Sequence, residues 1–574
     1  MNASRPRSTR AARPTLLKAA AATAVLALTL TACNANGGDD DATAPSTQGS
    51  TGTTEKGGTM TILTSATEIN WDPAKSQNLA ITTLGLVERR LTTWGVEPGK
   101  PGVVVPDLAT DTGTVSDDGK TWTYTLKDDI FFEDGSPITS ADIKYGIERS
   151  FAPELSGGLS YHKSLLEGGD EYAGPYTGGD LASIETPDDK TIVFRLKSAY
   201  GDWPWIVSQP AFAPVPEAQD DIATYTQQPV ASGPYKVVDT KQGVSVTLER
   251  NDKWTEESDD VRTAGPDSIV FSLGQDATVT AQRLIADAGD DKNAFGASFV
   301  PPAQLAQVAN NPSAKERLVT SDAGALAYLA INTEREGLDN VQVRQAIQYA
   351  VDKQAFQVAS GGETGGALAT TLITPGIEGR EDFNLYEADA AGDVDKAKEL
   401  LTESGWDPTS RELVLLSEDD SVSLSQAQAV EQGLERAGFQ VTIKPEAQLA
   451  AVQTLTQGTG EYDLTISSWQ PDFPSANGNI QPLFDSSQIG NGGYNLARFS
   501  DPAVDELIAQ ATAEIDVEKA GALWAQADRA IMEQSPVVPL IYTRNSFLHG
   551  SNVRNFYIPA FPAYPNYLKA SLSQ

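Results

Sequence analysis

Few residues of this chain have the types and spacing that catalytic or metal-binding sites require. The two histidines, His162 and His549, lie far apart, and Cys33 is the sole cysteine. No HExxH segment and no paired Cys/His spacing occurs, so we expect no metal site. Neither GxSxG nor a Gly-rich loop ending in Gly-Lys-Ser/Thr is present, which disfavours a serine hydrolase and an ATP-binding loop. The acidic run Glu418–Asp420 is typical of a solvated surface.

Cys33 ends a segment that is typical of secretion. Basic residues and no acidic residue precede the apolar run Ala19–Leu30. Twelve helical residues reach about 18 Å, too short for a hydrocarbon core of about 30 Å. We therefore predict a signal peptide over residues 1–32. The tetrapeptide Leu30-Thr31-Ala32-Cys33 resembles a bacterial lipobox, which implies lipidation of Cys33. A plain signal peptide is the alternative.

The segment after Cys33 predicts a flexible tether. Residues 34–57 contain no large apolar side chain, so they cannot bury enough surface to fold. We therefore expect residues 33–57 to be a lipidated cysteine followed by a disordered leash. The formal net charge of −36 argues against binding to nucleic acid or to anionic lipid. The 574-residue length predicts two or three domains.

Alternating strands and helices follow from Gly58 onward. Residues Thr59–Leu63 are predicted to form a strand, as is the alternating run through Trp122 and Tyr124. Thr139 and Asp142 have capping-box spacing, so a helix is predicted to begin there. Further expected elements are a strand through Val244, Val246 and Leu248, helices over 341–356, 395–405, 424–438, 502–511 and 517–532, and a strand over 537–542. This mixture indicates an α/β protein.

Several short blocks occur in order along the chain. They are Val105–Ala109, Val115–Trp122, Asp134–Thr139, Ser232–Tyr235, Leu248–Trp254, Asn340–Ala346, Ala350–Lys353, Trp469–Asp472 and Phe499–Asp505. Together they closely resemble the family 5 solute-binding proteins, which are the oligopeptide, dipeptide and nickel receptors of ABC importers. The resemblance extends from Gly58 to near the C-terminus.

The resemblance implies a three-lobed α/β fold of the type II periplasmic-binding class, in the large peptide-receptor group, with a ligand cleft that closes about a hinge. Lobe I would be discontinuous, and its segments are expected at residues 58–87, 208–325 and 538–574. Lobe II would comprise residues 88–207, and lobe III residues 326–537. A ligand that touches both sides of the cleft would stabilise the closed state.

The resemblance also implies five site residues. In the peptide receptors the aspartate three residues after this tryptophan binds the ligand ammonium group, which assigns that role to Asp472. Trp469 would line the cleft, and Ser468 and Gln470 would flank it on a strand whose main chain pairs with the ligand. Tyr161 resembles a tyrosine that bonds the peptide main chain. The structural alternatives are a turn or helix cap for Asp472, core packing for Trp469 and a surface position for Tyr161.

One position departs from the family pattern. Some oligopeptide receptors carry an arginine three residues before the tryptophan, near the ligand carboxylate, whereas this chain has Ile466. The resemblance implies a monomeric, extracytoplasmic, membrane-anchored receptor without enzymatic activity or cofactor that delivers peptides to an ABC permease. A non-peptide solute, such as an oligosaccharide, an opine or a metal chelate, stays open as the ligand. A secreted hydrolase is the weaker alternative, and a receptor that senses peptides without importing them is also compatible with the sequence.

Overall fold

The structure is a computed structural model that describes Gly49, Gly52 and residues 56–322, 324–447 and 449–573. The predicted signal peptide and Cys33 lie outside these residues. In the described part of the chain, no helix has the length and apolar character needed to cross a membrane.

The strands are short and are distributed over the whole described chain. In chain order they are β1 (Thr59–Leu63), β2 (Thr92–Gly95), β3 (Val103–Pro106), β4 (Thr114–Val115), β5 (Thr121–Thr125), β6 (Ile184–Asp188), β7 (Thr191–Arg195), β8 (Tyr235–Lys241), β9 (Ser245–Arg250), β10 (Ser268–Ser272), β11 (Ala294–Gly296), β12 (Leu318–Thr320), β13 (Leu326–Ile331), β14 (Gly366–Leu368), β15 (Glu412–Glu418), β16 (Gln440–Glu446), β17 (Leu464–Trp469), β18 (Val537–Thr543), β19 (Ser546–Leu548), β20 (Val553–Arg554) and β21 (Ser571–Leu572).

The α-helices concentrate in the second half of the chain. They are α1 (Ser140–Arg149), α2 (Tyr161–Leu165), α3 (Pro175–Gly178), α4 (Trp203–Ile206), α5 (Ala277–Ala286), α6 (Pro302–Ala309), α7 (Pro312–Lys315), α8 (Val341–Ala350), α9 (Lys353–Ala359), α10 (Val394–Ser404), α11 (Ser421–Ala437), α12 (Leu449–Thr454), α13 (Asn477–Phe484), α14 (Pro502–Ala513) and α15 (Val517–Gln534).

Three larger sheets organise these elements. A six-stranded sheet has the order β14-β18-β13-β17-β15-β16, a five-stranded sheet the order β11-β1-β10-β9-β8, and a four-stranded sheet the order β4-β5-β7-β6. The first two mix parallel and antiparallel pairs, and the pairs of the third are antiparallel. Helices alternate with strands around the six-stranded sheet, where Leu329, Ile347 and Leu415 belong to one buried core. The structure therefore has the predicted α/β character.

Most elements predicted from periodicity are present. The strand Thr59–Leu63 has the predicted bounds, and Trp122 and Tyr124 are buried on one face of β5. Thr139 and Asp142 form a capping box at the start of α1. Val246 and Leu248 are buried in β9, but the inclusion of Val244 in that strand is wrong, because Val244 lies in the turn before β9 and is 61% exposed.

The single helix predicted over residues 341–356 is also wrong, because the structure divides it. Helix α8 ends at Ala350, and Val351 has an extended backbone with ψ of 129°. The Asp352 side chain then accepts a hydrogen bond from the Ala355 amide at 2.7 Å and caps α9. Aspartate at such a position competes with helix continuation by satisfying the amides of a new first turn.

A buried ion network explains one of the sequence blocks. Asp107, in the block Val105–Ala109, accepts hydrogen bonds from Nε of Arg89 at 2.7 Å and Nη2 of Arg262 at 2.9 Å. All three side chains are buried. Arg262 also forms an ion pair with Asp259, so the network contains two buried carboxylates whose charges balance those of the two buried guanidinium groups. The block therefore serves to join distant segments of the chain.

Two chain crossings connect the five-stranded sheet region with the six-stranded sheet. The chain passes from β12 into β13, and it returns from β18 into β19. β12 and β19 pair with each other, and the Thr543 amide donates to the Ala325 carbonyl at 2.8 Å. Strand β18 belongs to the six-stranded sheet although it begins at Val537, beside the predicted lobe boundary at 538. The lobe boundaries stay a prediction.

Candidate functional site

The candidate site begins where two parallel strands separate. β15 pairs with β17 at Leu415–Leu464 and Leu416–Thr465. After Thr465, β17 continues to Trp469. Among the described residues, this part of β17 pairs only with β13, on the side away from β15. The edge of β17 that faces β15 therefore presents unpaired main-chain groups. Such an edge can accept an extended chain as an additional strand.

A cavity of about 580 Å³, here called the strand cavity, lies at this separation. Ser417 and Glu418 of β15 contribute to one side, and Ile466, Ser467, Ser468 and Trp469 of β17 to another. Amide and hydroxyl side chains from α11, α12 and the segment after it supply further lining groups, including Gln426, Gln453 and Gln457. The strand cavity thus combines a free strand edge with neutral hydrogen-bonding groups.

A second cavity of about 520 Å³, here called the junction cavity, lies beyond the end of β17. Gln470, Pro471 and Asp472 line it together with residues that follow β1 and with Tyr564 and Tyr567 near the C-terminus. The segment from Ile466 to Asp472 therefore runs from one cavity to the other. An extended ligand paired with β17 would reach both cavities.

Asp472 receives a hydrogen bond from a distant part of the chain. The Tyr161 hydroxyl donates to Oδ2 of Asp472 at 2.6 Å, and the Tyr161 ring packs edge-on against Phe473 with centroids 5.7 Å apart. Burial raises the pKa of Asp472, and the hydrogen bond from Tyr161 lowers it. No ion pair forms at Asp472 within the described chain, so the carboxylate is an acceptor that a cationic group can complete.

Comparison of the sequence with models of known protein families identifies the class of protein to which this chain belongs. The model for bacterial extracellular solute-binding proteins, family 5 middle region, matches residues 103–491. The chain belongs to family 5 of these solute-binding proteins. The matched residues include Tyr161, the parting of β15 from β17, and Asp472.

Curated relatives and solved structures agree with the assignment to family 5. The glutathione-binding protein GsiB of Salmonella paratyphi A is 27% identical over 454 residues, which cover 78% of this chain and 82% of that protein. GsiB of Shigella dysenteriae serotype 1 is 26% identical over 453 residues, with the same coverages of 78% and 82%.

Solved structures show that the similarity extends to the whole fold. Clavulanic acid biosynthesis oligopeptide binding protein 2 has 31% identity and a TM-score of 0.83, covering 93% of this chain and 100% of that one. The unliganded open form of the murein tripeptide binding protein MppA has 20% identity and a TM-score of 0.75, covering 92% and 98%. The type II binding-protein fold predicted from the sequence is therefore confirmed.

The structure of this family 5 protein distributes the predicted site residues over the contact between Tyr161 and Asp472, the strand cavity and the junction cavity. Asp472 and Tyr161 are in direct contact, and Asp472 caps no helix, since α13 begins at Asn477 with Ala476 at its N-cap position. Ser468 is exposed and lines the strand cavity. Gln470 lines the junction cavity, although its Nε2 donates to the Pro562 carbonyl.

Trp469 is a wall of the strand cavity rather than part of the buried core. Its Nε1 donates to the Gly478 carbonyl at 2.7 Å, which fixes the indole against the start of α13. The Tyr494 ring lies beside it with centroids 4.8 Å apart and is 44% exposed. Sequence reasoning did not identify Tyr494, because it lies in a loop without a recognisable motif. Together the two rings supply an aromatic surface to the cavity.

His162 has a structural role in this family 5 protein. Its Nε2 lies 2.8 Å from Oγ of Ser150, and its ring packs edge-on against Phe151 and Phe212. Burial lowers the pKa of His162 to about 3. Among the described residues, no group of three or more His, Cys, Asp or Glu side chains could hold a metal ion.

Proposed function

We propose that this family 5 protein is the substrate-binding component of an ABC importer that captures peptides and delivers them to a membrane permease. The observation that carries the proposal is the placement of Asp472 at the end of a strand with a free edge. The β17 main chain would pair with the peptide backbone, and Asp472 would accept the peptide ammonium group. Main-chain pairing supplies affinity that depends little on peptide sequence.

The names of similar proteins support a peptide as the ligand. GsiB is named as binding glutathione, and the 31%-identical structure is named as an oligopeptide binding protein. The fold also provides the two chain crossings about which the cleft would close. Closure onto a peptide would remove water from Asp472, and a charge-assisted hydrogen bond strengthens when its surroundings become less polar.

Calorimetry with matched peptides tests the proposal. A tripeptide with a free amino terminus should bind with saturation, and acetylation of that amine should weaken binding. Asp472→Asn should cost at least about 1.5 kcal/mol of binding free energy, the scale of a hydrogen bond to a charged group. Asp389→Asn, which removes an exposed carboxylate from the same half of the chain, is the matched control. Equal binding of the free and acetylated peptides would reject Asp472 as the ammonium partner, and absence of binding by both would favour the non-peptide alternative.

The fate of the peptide distinguishes a receptor from a hydrolase. We expect the peptide to be recovered unaltered after prolonged incubation, as judged by mass spectrometry, and the protein to act without a cofactor. Turnover of the peptide would contradict the receptor function. We also propose that the protein is a monomer, which light scattering of the purified chain would check.

We propose further that a lipid on Cys33 and the tether to Gly57 hold the receptor at the outer face of the cell membrane. Tethering raises its local concentration beside the permease. Stable anchoring requires more than one acyl chain, as lipobox cysteines receive. Cys33→Ser should release the protein into the medium and abolish palmitate labelling. A Cys33→Ser protein that stays membrane-bound would contradict the anchor.

A further inference from the structure

We propose that the cleft selects cationic peptides and does not recognise the ligand carboxylate. This inference rests on the proposed function and concerns the same two cavities. Glu418 lines the strand cavity, and Glu68 and Asp472 line the junction cavity. No Lys, Arg or His side chain lines either cavity within the described residues. A bound ligand would therefore meet carboxylates at both ends and no fixed positive charge.

Three cations outside the two cavities have partners of their own. Arg544 donates to the carbonyls of Asp322 and Glu363, Arg498 pairs with Glu334, and Lys163 lies over the Phe151 ring. None of these side chains is among those that line the two cavities. At the strand position where some family members carry an arginine, Ile466 pairs with Leu329 in the sheet and projects no charge.

Glu418 is placed to receive a basic side chain. It ends β15 on the side of the strand cavity opposite the free edge of β17. Its carboxylate is exposed and has no ion-pair partner among the described residues. Trp469 and Tyr494 line the same cavity, and aromatic faces attract ammonium and guanidinium groups. A lysine or arginine of the ligand would thus find a carboxylate and two rings.

The charge of the whole protein acts in the same direction. With a formal net charge of −36, the surface field favours the approach of cations and opposes that of anions. Glutathione carries two carboxylates and one ammonium group at neutral pH, so it is negatively charged overall. We therefore expect this protein to bind glutathione more weakly than a basic tripeptide, in contrast with what the name GsiB states for that relative.

A set of six peptides tests this selectivity by calorimetry. The peptides are Ala-Lys-Ala, Ala-Leu-Ala and Ala-Glu-Ala, each with a free carboxylate and with a carboxamide terminus. The lysine peptide should bind about tenfold more tightly than the glutamate peptide. Amidation should not weaken the binding of any of the peptides, because no cation faces the ligand carboxylate and the negative field of the protein favours loss of that charge. A tenfold loss on amidation, or a preference for glutamate, would overturn the inference.

Glu418→Gln isolates the contribution of the proposed cation site. The variant should reduce the preference for lysine over leucine, measured as the ratio of the two affinities, by about fivefold. Asp419→Asn is the control, since Asp419 carries the same charge at the next position but does not line the cavity. An unchanged preference in Glu418→Gln would overturn the site. If no peptide binds at all, the proposed function fails; binding without charge preference rejects this inference alone.

Discussion

The hydroxyl of Tyr161 donates a 2.6 Å hydrogen bond to the carboxylate of Asp472 across 311 positions of sequence. The bond joins residues that the family resemblance assigns to separate lobes. Burial raises the pKa of Asp472, and this bond opposes the rise. Tyr161 therefore helps to keep Asp472 ionised while the surroundings of the carboxylate lose water.

Tyr161→Phe should raise the pH at which peptide affinity begins to fall on acidification. Binding through Asp472 requires the ionised carboxylate, so affinity falls as the pH drops through the pKa of Asp472. Removal of the hydroxyl removes the interaction that lowers this pKa, and protonation then occurs at higher pH. Calorimetric titrations between about pH 4 and pH 7.5 measure the shift.

Tyr386→Phe is the matched control for Tyr161→Phe. The Tyr386 hydroxyl donates to the Met532 carbonyl at 2.6 Å, and its side chain lines neither cavity. The pH dependence of peptide affinity for Tyr386→Phe should superimpose on that of the unmodified protein. A Tyr161→Phe profile that also superimposes would show that the hydroxyl does not control the charge of Asp472.

Asp107→Ala should strongly reduce the free energy of unfolding. The variant leaves the guanidinium groups of Arg89 and Arg262 buried without this shared carboxylate. Removing one partner of a buried ion pair costs about 3–5 kcal/mol. Urea unfolding followed by tryptophan fluorescence measures the loss. Asp117→Ala, at an exposed site, should change stability by no more than about 0.5 kcal/mol; a similarly small change in Asp107→Ala would rule out the network as a stabilising feature.

Asp202→Asn should stabilise the protein at neutral pH and not at acid pH. Burial raises the pKa of Asp202 to about 6, although Ser475 donates to its Oδ2 at 2.9 Å. A raised carboxyl pKa means that the folded state binds the proton more tightly. The contribution to stability is therefore complete below about pH 4 and is lost as the pH rises through about 6.

The expected gain for Asp202→Asn is about 1–2 kcal/mol at pH 7.5. Thermal unfolding at about pH 4.5 and pH 7.5 compares the variant with the unmodified protein. Asp389→Asn, at an exposed carboxylate, should show no such difference. An Asp202→Asn gain that is equal at both values would mean that ionisation of Asp202 is not its cause.

His162→Gln should flatten the loss of stability on mild acidification. The Ser150 hydroxyl donates to the Ile147 carbonyl, so Nε2 of His162 carries the proton that bonds Ser150. Nδ1 is buried without a partner among the described atoms, and burial lowers the pKa of His162 to about 3. The contribution of neutral His162 to folding stability is thus complete above the unfolded pKa of about 6.5, and it falls as the pH drops below that value.

Thermal midpoints between about pH 7 and pH 5 measure this slope for His162→Gln. The variant should be less stable at neutral pH, because it loses ring contacts with Phe151 and Phe212. It should nevertheless show a shallower slope, and the remaining slope would include His549, whose pKa burial lowers to about 4. An unaltered slope would exclude protonation of His162 as a source of acid sensitivity.

Local patterns predicted the elements that depend on short-range chemistry. The capping box of Thr139 and Asp142, the alternation in β5 and the strand over Thr59–Leu63 were recognisable because they involve neighbouring residues. The break after Ala350 was not foreseen, because the apolar spacing continues through Val351 and hides the competing cap at Asp352.

The candidate site was accessible to sequence reasoning only through family resemblance. Asp472 was named from the block Trp469–Asp472 and Tyr161 from a looser local resemblance, but the hydrogen bond between them depends on tertiary folding. The separation of β15 from β17 after Thr465 has no local signature, since both strands continue with residues that suit a sheet. Glu418 looked like part of a solvated acidic run until the fold placed it opposite a free strand edge.

The two chain crossings would restrict the motion by which the proposed cleft closes. β12 pairs with β19, and Thr543 is bonded to Ala325 beside them, so the crossings form a double ribbon. Flexing both chains together preserves these bonds, whereas sliding one chain along the other would break them and expose their polar groups. A closure about these crossings, as proposed above, would therefore bend the paired segments together and leave their strand register unchanged.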